Sequence, residues 1–419
     1  MMLALERIQP WMLLRDSRCC TLLRVLRVGP LLAGSIAVDG QDQLGNPAEI
    51  TLSRSDEAHL QAVDDAPRLK RDPAAVLGCL LGGAVGDALG APVEFLHGAG
   101  IERQFGTRGI VDFVPAYGQL GAITDDTQMM LFTAEGLLRA WMRGVSRGVC
   151  HPPSVIHHAL LRWLLTQGER AATEVGRDGW LFGERRLWSR RAPGNTCLAA
   201  LRASRRLGEP AGNASKGCGG VMRVAPCAFF PNPFAKAADS ARLTHGHPTG
   251  YLAAGLFADI LARLWNGEDS LAAATRASLA AHGGRPGMEE TRRLVGHVLA
   301  LHAEDMKPTP RRIEQLGGGW VAEEALAIGL WCALSADSLE DGVIRAVNHS
   351  GDSDSTGLIA GHFLGLAHGP EAIPARWLDG LELRDVIERI ALDISLVPAS
   401  YRSDGSEASR ALWERYPGW

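Results

Sequence analysis

Two short segments, far apart along the chain, carry the residues best suited to metal chemistry. The first has two adjacent aspartates between two threonines, and the second has two aspartates among serines. These segments are Thr124-Asp125-Asp126-Thr127 and Gly351-Asp352-Ser353-Asp354-Ser355. Each stands where a helical pattern begins. Taken alone, each is therefore explained by helix capping and by the favourable interaction of carboxylates with the helix dipole.

Taken together, the two segments favour a metal site. Carboxylates with hydroxyl neighbours, and without an adjacent set of histidine or cysteine ligands, describe the oxygen coordination that Mg²⁺, Mn²⁺ or Ca²⁺ prefers. Converging carboxylates repel one another strongly, and two divalent cations would neutralise the four aspartates. A pair of metal ions can also activate a bridging water molecule. The sequence therefore predicts one binuclear site built from two distant segments.

A second group of residues indicates a substrate pocket. A glycine-rich loop offers backbone N–H groups that could bind phosphate, although an ordinary loop explains the same pattern. His245 follows downstream, either in a solvent-facing turn or in contact with a nucleotide. Trp320 and Trp331 are expected in the core and not as stacking platforms. The loop reads Ser215-Lys216-Gly217-Cys218-Gly219-Gly220.

Two predicted helices must position these residues, and both carry glycine at every fourth position. One glycine inside a helix costs about 1 kcal/mol relative to alanine. Such a stripe therefore requires a close neighbour, either another helix backbone or a ligand. Asp72-Pro73 is typical of a helix start, and Asp87 and Glu94 lie within and just beyond the first stripe. The stripes are Gly78, Gly82, Gly86 and Gly90, and then Gly357, Gly361 and Gly365.

Helical periodicity continues through most of the chain after residue 73. The run 110–114 is the only segment that resembles a strand, and no repeat of solenoid length is present. The sequence therefore predicts an all-α, compact fold with one core. Besides the helix after Thr124, the predicted helices lie near 154–167, 196–207, 234–243, 248–266, 269–282, 288–304, 321–334, 338–347, 356–368 and 383–396.

The chain divides into three parts by pattern. Residues 1–72 lack sustained periodicity and are predicted to be a poorly ordered or accessory N-terminal extension. Residues 73–400 are predicted to form the functional domain, and residues 401–419 a C-terminal tail. We expect a monomer.

The composition of the chain indicates which kinds of binding partner and which cellular compartment to expect. The net charge is −4, and no basic stripe alternates with aromatic residues, so nucleic acid is not an expected partner. The eight cysteines form no C-x-x-C pair, which indicates reduced thiols in a reducing, cytoplasmic compartment. No uninterrupted apolar run approaches membrane-spanning length, so no membrane association is expected.

Residues 74–400 resemble the ADP-ribosylglycohydrolases, because five motifs occur in the order found in that family. The resemblance implies an orthogonal bundle of helices around a binuclear Mg²⁺ or Mn²⁺ centre. The five motifs are Gly86-Asp87-Ala88-Leu89-Gly90-Ala91-Pro92-Val93-Glu94, Thr124-Asp125-Asp126-Thr127, Ser215-Lys216-Gly217-Cys218-Gly219-Gly220-Val221-Met222-Arg223, Thr244-His245-Gly246-His247 and Gly351-Asp352-Ser353-Asp354-Ser355.

The resemblance also implies roles for individual residues. Glu94 would lie beside the metals and contribute to catalysis. Physically, either Asp126 or Glu94 can act as general base and acid, and Asp126 is expected to be the more sensitive to substitution. Cys218 stands where some relatives have asparagine. The implied metal ligands are Thr124, Asp125, Asp126, Asp352, Asp354 and Ser355. The residues implied to bind the diphosphate and ribose are Ser215, Gly217, Cys218, Gly219, Gly220 and His245.

The function implied is hydrolysis of ADP-ribose from a modified protein side chain, with arginine favoured, or from a related small ADP-ribosyl compound. Prenyl diphosphate synthases also bind Mg²⁺ through helix aspartates, but their D-D-x-x-D pattern fails here because Met129 follows Asp125-Asp126-Thr127-Gln128. A protein that binds ADP-ribose without hydrolysing it, of the immunity type, is the alternative from another class. The complete ligand set does not favour that alternative.

Overall fold

The computed structural model describes residues 3–19, 21–43, 46–63, 69–400 and 407–418. A small antiparallel sheet precedes a large body of helices. The strands are β1 Leu13–Asp16, β2 Thr21–Val28, β3 Ser35–Asp42, β4 Pro47–Ser53 and β5 Leu60–Ala62. The helices are α1 Pro73–Gly90, α2 Gly98–Phe105, α3 Asp125–Arg147, α4 Pro152–Thr166, α5 Trp180–Gly183, α6 Asn195–Ala203, α7 Pro233–Arg242, α8 Pro248–Trp265, α9 Leu271–His282, α10 Glu289–Ala303, α11 Pro310–Ile313, α12 Ala322–Leu334, α13 Leu339–Val347, α14 Ser353–His368, α15 Ala375–Gly380, α16 Arg384–Ser400 and α17 Glu407–Arg415.

The helical fold class is confirmed, and each predicted helix overlaps an observed one. The short helices α2, α5, α11 and α15 were not predicted, because too few turns are present to show a period. The run 110–114, which resembles a strand in sequence, forms none in the structure. The backbone of Ile110 is bound there by one side chain: Asn348 Oδ1 accepts its N–H at 2.8 Å, and Asn348 Nδ2 donates to its carbonyl at 2.9 Å.

The N-terminal segment contains strands that the sequence analysis did not predict. Its five-stranded antiparallel sheet has the order β4-β3-β2-β1-β5. In β2, buried residues occur in adjacent pairs instead of alternating, and the register with β3 shifts between Val25 and Arg27. A bulge of this kind breaks the period of two by which a strand is recognised. The sheet has its own apolar cluster, which includes Leu14, Val25 and Val38.

The sheet is joined to the helical body at the start of α1. Nε and Nη2 of Arg24 donate to the two carboxylate oxygens of Asp72 at 3.0 and 2.9 Å. Asp72 Oδ1 also accepts the N–H of Ala74 at 2.9 Å, which caps the helix. The predicted Asp72-Pro73 helix start is therefore confirmed, and its cap residue is also the docking point of the sheet.

Helices α1 and α14 lie antiparallel at the centre of the body, and their glycine stripes face each other. A side-chain carbon on Gly82 would collide with the carbonyl oxygen of Gly361, and one on Gly361 would collide with that of Gly82. The close neighbour that the stripes require is therefore a second helix backbone in each case. The other facing pairs are Gly78 with Gly365 and Gly86 with Gly357.

Helix α1 has the length and apolar composition of a membrane span, which the sequence analysis did not anticipate. Every residue of α1 is nevertheless buried inside the protein. Its neighbours include α14 and α16. Helix α1 is therefore the central helix of the core.

The C-terminal segment returns to the helical body. Tyr416 is fully buried, and its hydroxyl donates to Asp393 Oδ2 of α16 at 2.7 Å. The predicted C-terminal tail begins at residue 401, and residues 401–406 lie outside the described residues.

We expect Gly361→Ala to destabilise the protein although alanine is the better helix former. The added methyl group forces the two helix backbones apart, and overpacking of this kind costs about 1–3 kcal/mol. Urea titration measures the change in the free energy of unfolding. Gly100→Ala is the matched control, because its new Cβ would have only the Cβ of Leu96, 3.9 Å away, within reach. Equal stability of the two variants would contradict this account of the glycine stripes.

Candidate metal centre and substrate cleft

The packing of α1 on α14 brings three segments of the chain to one place. The last glycine of α1, Gly90, lies against the backbone of Ser353 and Asp354 at the start of α14. The start of α3 joins them through Asp87, whose carboxylate accepts the N–H groups of Thr124 and Thr127 at 3.0 and 3.1 Å. Both acidic motifs therefore meet at the end of α1.

Asp87 acts as a cap for α3 from another helix. Besides the two N–H groups, its carboxylate accepts the hydroxyl hydrogen of Thr127. Burial and the neighbouring Asp354 raise the pKa of Asp87 to about 7, against the lowering effect of its threonine donors. Because its oxygens are occupied by these donors, Asp87 orients the start of α3.

All six predicted metal ligands lie in one buried cluster. None of them is more than 4% exposed. The hydroxyl of Ser355 donates to Asp126 Oδ2 at 2.7 Å, which links the two motifs directly. Thr124 Oγ1 accepts the N–H of Asp126 at 3.2 Å, and Asp125 Oδ2 accepts the N–H of Gly194 at 3.2 Å. Two segments separated by more than two hundred residues thus form one acidic centre.

Glu94 completes this centre. Glu94, Asp352 and Asp354 each offer a carboxylate oxygen, and the three atoms lie within 4.8 Å of one another. Glu94 Oε2 is buried without a hydrogen-bond partner among the described residues. Burial, followed by Asp354 and Asp352, raises the pKa of Glu94 to about 11. An unpartnered carboxylate oxygen beside two further carboxylates fits a hard divalent cation.

The pKa values of the aspartates shift in the same direction. Burial is the largest cause in each case, and repulsion from Asp354 adds to it for Asp125, Asp126 and Asp352. The pKa of Asp354 itself is raised by burial. The cluster is therefore electrostatically unfavourable in the absence of a compensating positive charge.

A cleft of about 330 Å³ opens onto the acidic centre. It joins the metal-ligand candidates to part of the predicted substrate group, and the stretch 192–196 contributes to its wall. The predicted substrate residues that line it are Gly217, Cys218, Gly219 and His245.

Ser215 and Gly220, also predicted to bind substrate, do not line this cleft. Ser215 Oγ accepts the N–H of Gly217 at 3.3 Å and so shapes the loop. Gly220 is buried, and a Cβ there would lie 3.1 Å from the Cβ of Ala241. These two residues support the loop from behind.

Cys218 connects the loop to the acidic centre. Its Sγ donates to Asp352 Oδ2 at 2.7 Å. Burial, with Asp352 close by, raises the pKa of the Cys218 thiol, so the sulfur remains a protonated donor. Cys218 thus contacts a metal-ligand candidate.

Trp320 is placed differently from the prediction. It is 46% exposed at the mouth of the cleft and stacks on Phe95, which is 71% exposed, with ring centroids 6.0 Å apart. The run of three glycines before Trp320 was the available signal for a surface loop. Trp331, in contrast, is 1% exposed, so its prediction is confirmed.

Sequence reasoning also missed Arg223 as a member of the site. Its side chain is fully buried, and it donates to the carbonyl of Gly219 within the glycine-rich loop. The nearest signal was its place at the end of the loop motif. A helix or loop pattern does not show a buried cation behind a candidate phosphate loop.

The structure combines a helical fold, buried carboxylates at helix starts and a glycine-rich cleft. This combination is the one expected of the family that the sequence resembles. A model of the ADP-ribosylglycohydrolase family matches residues 68–404. The chain belongs to this family, whose members hydrolyse glycosidic bonds, and it is an ADP-ribosylglycohydrolase. The N-terminal sheet lies before the matched region.

Similar proteins agree with this assignment. The chain is 27% identical over 327 residues to the ADP-ribosyl-[dinitrogen reductase] glycohydrolase of Rhodospirillum rubrum, covering 74% of this chain and 90% of the relative. It is 26% identical over 328 residues to the ADP-ribosylarginine hydrolase Tri1 of Serratia proteamaculans, covering 75% and 77% respectively. A solved ADP-ribosylglycohydrolase-related protein complex is 28% identical, with a TM-score of 0.50, and covers 78% of this chain and 99% of its own.

We expect the metal-free protein to lose stability as the pH rises. Asp87 and Glu94 have ordinary pKa values of 3.8 and 4.5, which the fold raises to about 7 and about 11. Between those limits the folded state holds protons that the unfolded chain has released, so stability falls with increasing pH. In the presence of a chelator, the melting temperature should decrease from about pH 5 to about pH 8.

Mn²⁺ or Mg²⁺ should flatten this dependence by compensating the ionised carboxylates. Glu94→Gln should reduce the slope measured in chelator, because it removes one of the titrating groups. Asp112→Asn should not, because Asp112 pairs with Arg376 at the surface. A chelated wild-type protein whose melting temperature rises across this pH range would contradict the electrostatic account of the cluster.

Proposed function

We propose that this protein uses two divalent cations, Mg²⁺ or Mn²⁺, to hydrolyse the bond between ADP-ribose and an arginine side chain of a modified protein. The observation that carries the proposal is the buried convergence of Glu94 with the aspartates of both motifs at one cleft. The arginine linkage is supported by the name of the Serratia proteamaculans relative, an ADP-ribosylarginine hydrolase.

The residues proposed to hold the cations have side-chain oxygen donors and lie together at the cleft. When bound, two such cations neutralise the carboxylates, polarise ribose hydroxyls and generate a water nucleophile near neutral pH. The proposed ligands are Thr124, Asp125, Asp126, Asp352, Asp354 and Ser355.

Asp126 and Glu94 are the proposed catalytic carboxylates. Ser355 donates to one oxygen of Asp126 and so fixes its orientation. Glu94 has a carboxylate oxygen without a hydrogen-bond partner among the described residues, and burial beside Asp354 and Asp352 raises its pKa in the metal-free site. A positioned carboxyl group of this kind can transfer a proton to or from the reacting atoms.

The glycine-rich loop is the proposed site of the diphosphate. Not all of its backbone N–H groups are free to bind phosphate, because some are already hydrogen-bonded within the protein. The N–H of Cys218 donates a hydrogen bond to the carbonyl of Trp320 at 3.1 Å, and the N–H of Gly217 donates one to Ser215 Oγ. Phosphate binding therefore depends on the Gly219 amide and on the His245 ring, both of which line the cleft.

Location and assembly remain as proposed from the sequence, with a cytoplasmic monomer acting on an ADP-ribosylated protein. The described cysteines are free thiols, which supports a reducing compartment.

A panel of arginine-, serine- and acetyl-linked ADP-ribose substrates tests this function. We expect release of free ADP-ribose from the arginine-linked substrate in Mg²⁺ or Mn²⁺, and its loss with excess chelator. Activity on another linkage alone would replace the arginine assignment. Tight binding of ADP-ribose without turnover of any substrate would establish the non-hydrolysing alternative instead.

We expect Asp126→Asn and Asp354→Asn each to lower turnover by about 100-fold or more, because each removes a proposed ligand and a negative charge from the centre. In excess chelator their melting temperatures should not fall, since each change relieves repulsion among buried carboxylates. Asp112→Asn provides the surface control. Retention of full activity by either site variant would refute its assigned role.

A further inference from the structure

Arg223 is a buried cation without a carboxylate at ion-pair distance among the described residues. Its side chain is 0% exposed, and among the described residues it forms no ion pair. Its hydrogen bonds go instead to uncharged groups, namely the carbonyls of Gly219 and Ser240, the hydroxyl of Thr244 and the sulfur of Cys197. A guanidinium without an ion-pair partner costs free energy to bury, so its position behind the cleft favours an anionic ligand.

Thr244 lies between this cation and the cleft. Nη2 of Arg223 donates to Thr244 Oγ1 at 2.8 Å. Arginine cannot accept a hydrogen bond, so this contact occupies a lone pair of the hydroxyl and leaves its hydrogen to be donated elsewhere. The acceptors within reach are Nδ1 of His245 at 2.8 Å, the carbonyl of Ala241 at 3.4 Å and the sulfur of Cys197. The short contact with Nδ1 favours His245 as the acceptor.

The other ring nitrogen of His245 points towards the glycine-rich loop. A side-chain carbon at Gly217 would lie 3.2 Å from Nε2, and one at Gly219 would lie 3.5 Å from it. Nε2 has no hydrogen-bond partner among the described residues, and the ring lines the cleft. A neutral histidine whose Nδ1 accepts a hydrogen bond carries its proton on Nε2.

We propose that Thr244, held by Arg223, is a positioning residue that keeps His245 in the Nε2–H tautomer, so that the ring donates a hydrogen bond to a phosphate oxygen of the ligand. The opposite tautomer would present a lone pair to that oxygen and repel it. The identity of the ligand, a nucleoside diphosphate sugar, rests on the proposed function.

The choice of tautomer matters because this ring does not gain charge. Burial and the proximity of Arg223 lower the pKa of His245 to about 3. A protonated imidazole would donate from both nitrogens in any arrangement, but a neutral one donates from only one. In the neutral ring, the hydroxyl of Thr244 therefore determines which nitrogen carries the proton.

The first test measures the tautomer in the wild-type protein, without substrate and without turnover. Long-range proton–nitrogen correlation spectra of ¹⁵N-histidine-labelled protein distinguish the two neutral forms, and His245→Gln assigns the signals. We expect Nε2–H in the wild type. A proton on Nδ1 of His245 would overturn the proposal whatever the behaviour of any variant.

The second test uses Thr244→Val, which keeps the shape but removes the hydroxyl, and Thr244→Ser, which retains it. Calorimetry with ADP-ribose should show affinity about 10- to 100-fold weaker for the valine variant, as expected for a lost hydrogen bond to a charged group. Adenosine, which lacks phosphate, should bind both variants and the wild type alike, and the serine variant should bind ADP-ribose as the wild type does.

Equal ADP-ribose affinity in the valine variant, or equal weakening in the serine variant, would show that the hydroxyl does not act through His245. The melting temperature of each variant accompanies the titration, and the wild-type spectrum decides the question if the valine variant does not fold. Absence of hydrolysis by the wild type would refute the proposed function without affecting these measurements, because ADP-ribose is the free product.

Discussion

The contact between the backbones of α1 and α14 is the constraint on which the site depends. Glycines on both helices let the two helix backbones approach more closely than they could with any side chain between them. Because the helices are antiparallel, this approach sets the end of α1 against the start of α14. Glu94 and Asp87 come from one helix end, and Asp352 and Asp354 from the other. The spacing of the carboxylates is therefore set by contacts along the whole length of both helices.

The same packing holds the carboxylates in an unfavourable arrangement. Burial raises the pKa values of Glu94 and of the aspartates around it, and Glu94 Oε2 has no partner among the described residues. A large apolar core stabilises the fold around this cluster. Sites that combine buried, mutually repelling groups with strong support are typical of catalysis and metal binding. The unpartnered oxygen of Glu94 belongs to the same carboxylates whose burial is unfavourable, and it is available to bind a cation.

Features that depend on local pattern were predictable from the sequence, and those that depend on distant contacts were not. The glycine stripes indicated a close neighbour, and the acidic motifs indicated a shared centre, because each is a strong local signal. The cap that Asp87 supplies to α3 joins residues about forty positions apart, and no pattern within either segment shows it. Trp320 was misplaced because its aromatic type suggested the core, whereas the loop before it holds it at the surface. The sheet was missed because paired buried residues and the register shift in β2 obscure the alternation.

The position of the sheet limits how it can influence the chemistry. Arg24 reaches the helical body through Asp72, at the first turn of α1, while Glu94 lies beyond the last turn of the same helix. The region matched by the family begins at residue 68, after the strands. From this contact the path to the acidic centre runs along α1, whose register against α14 is fixed by the glycine contacts. The sheet is thus placed to stabilise the start of the central helix without contributing groups to the cleft.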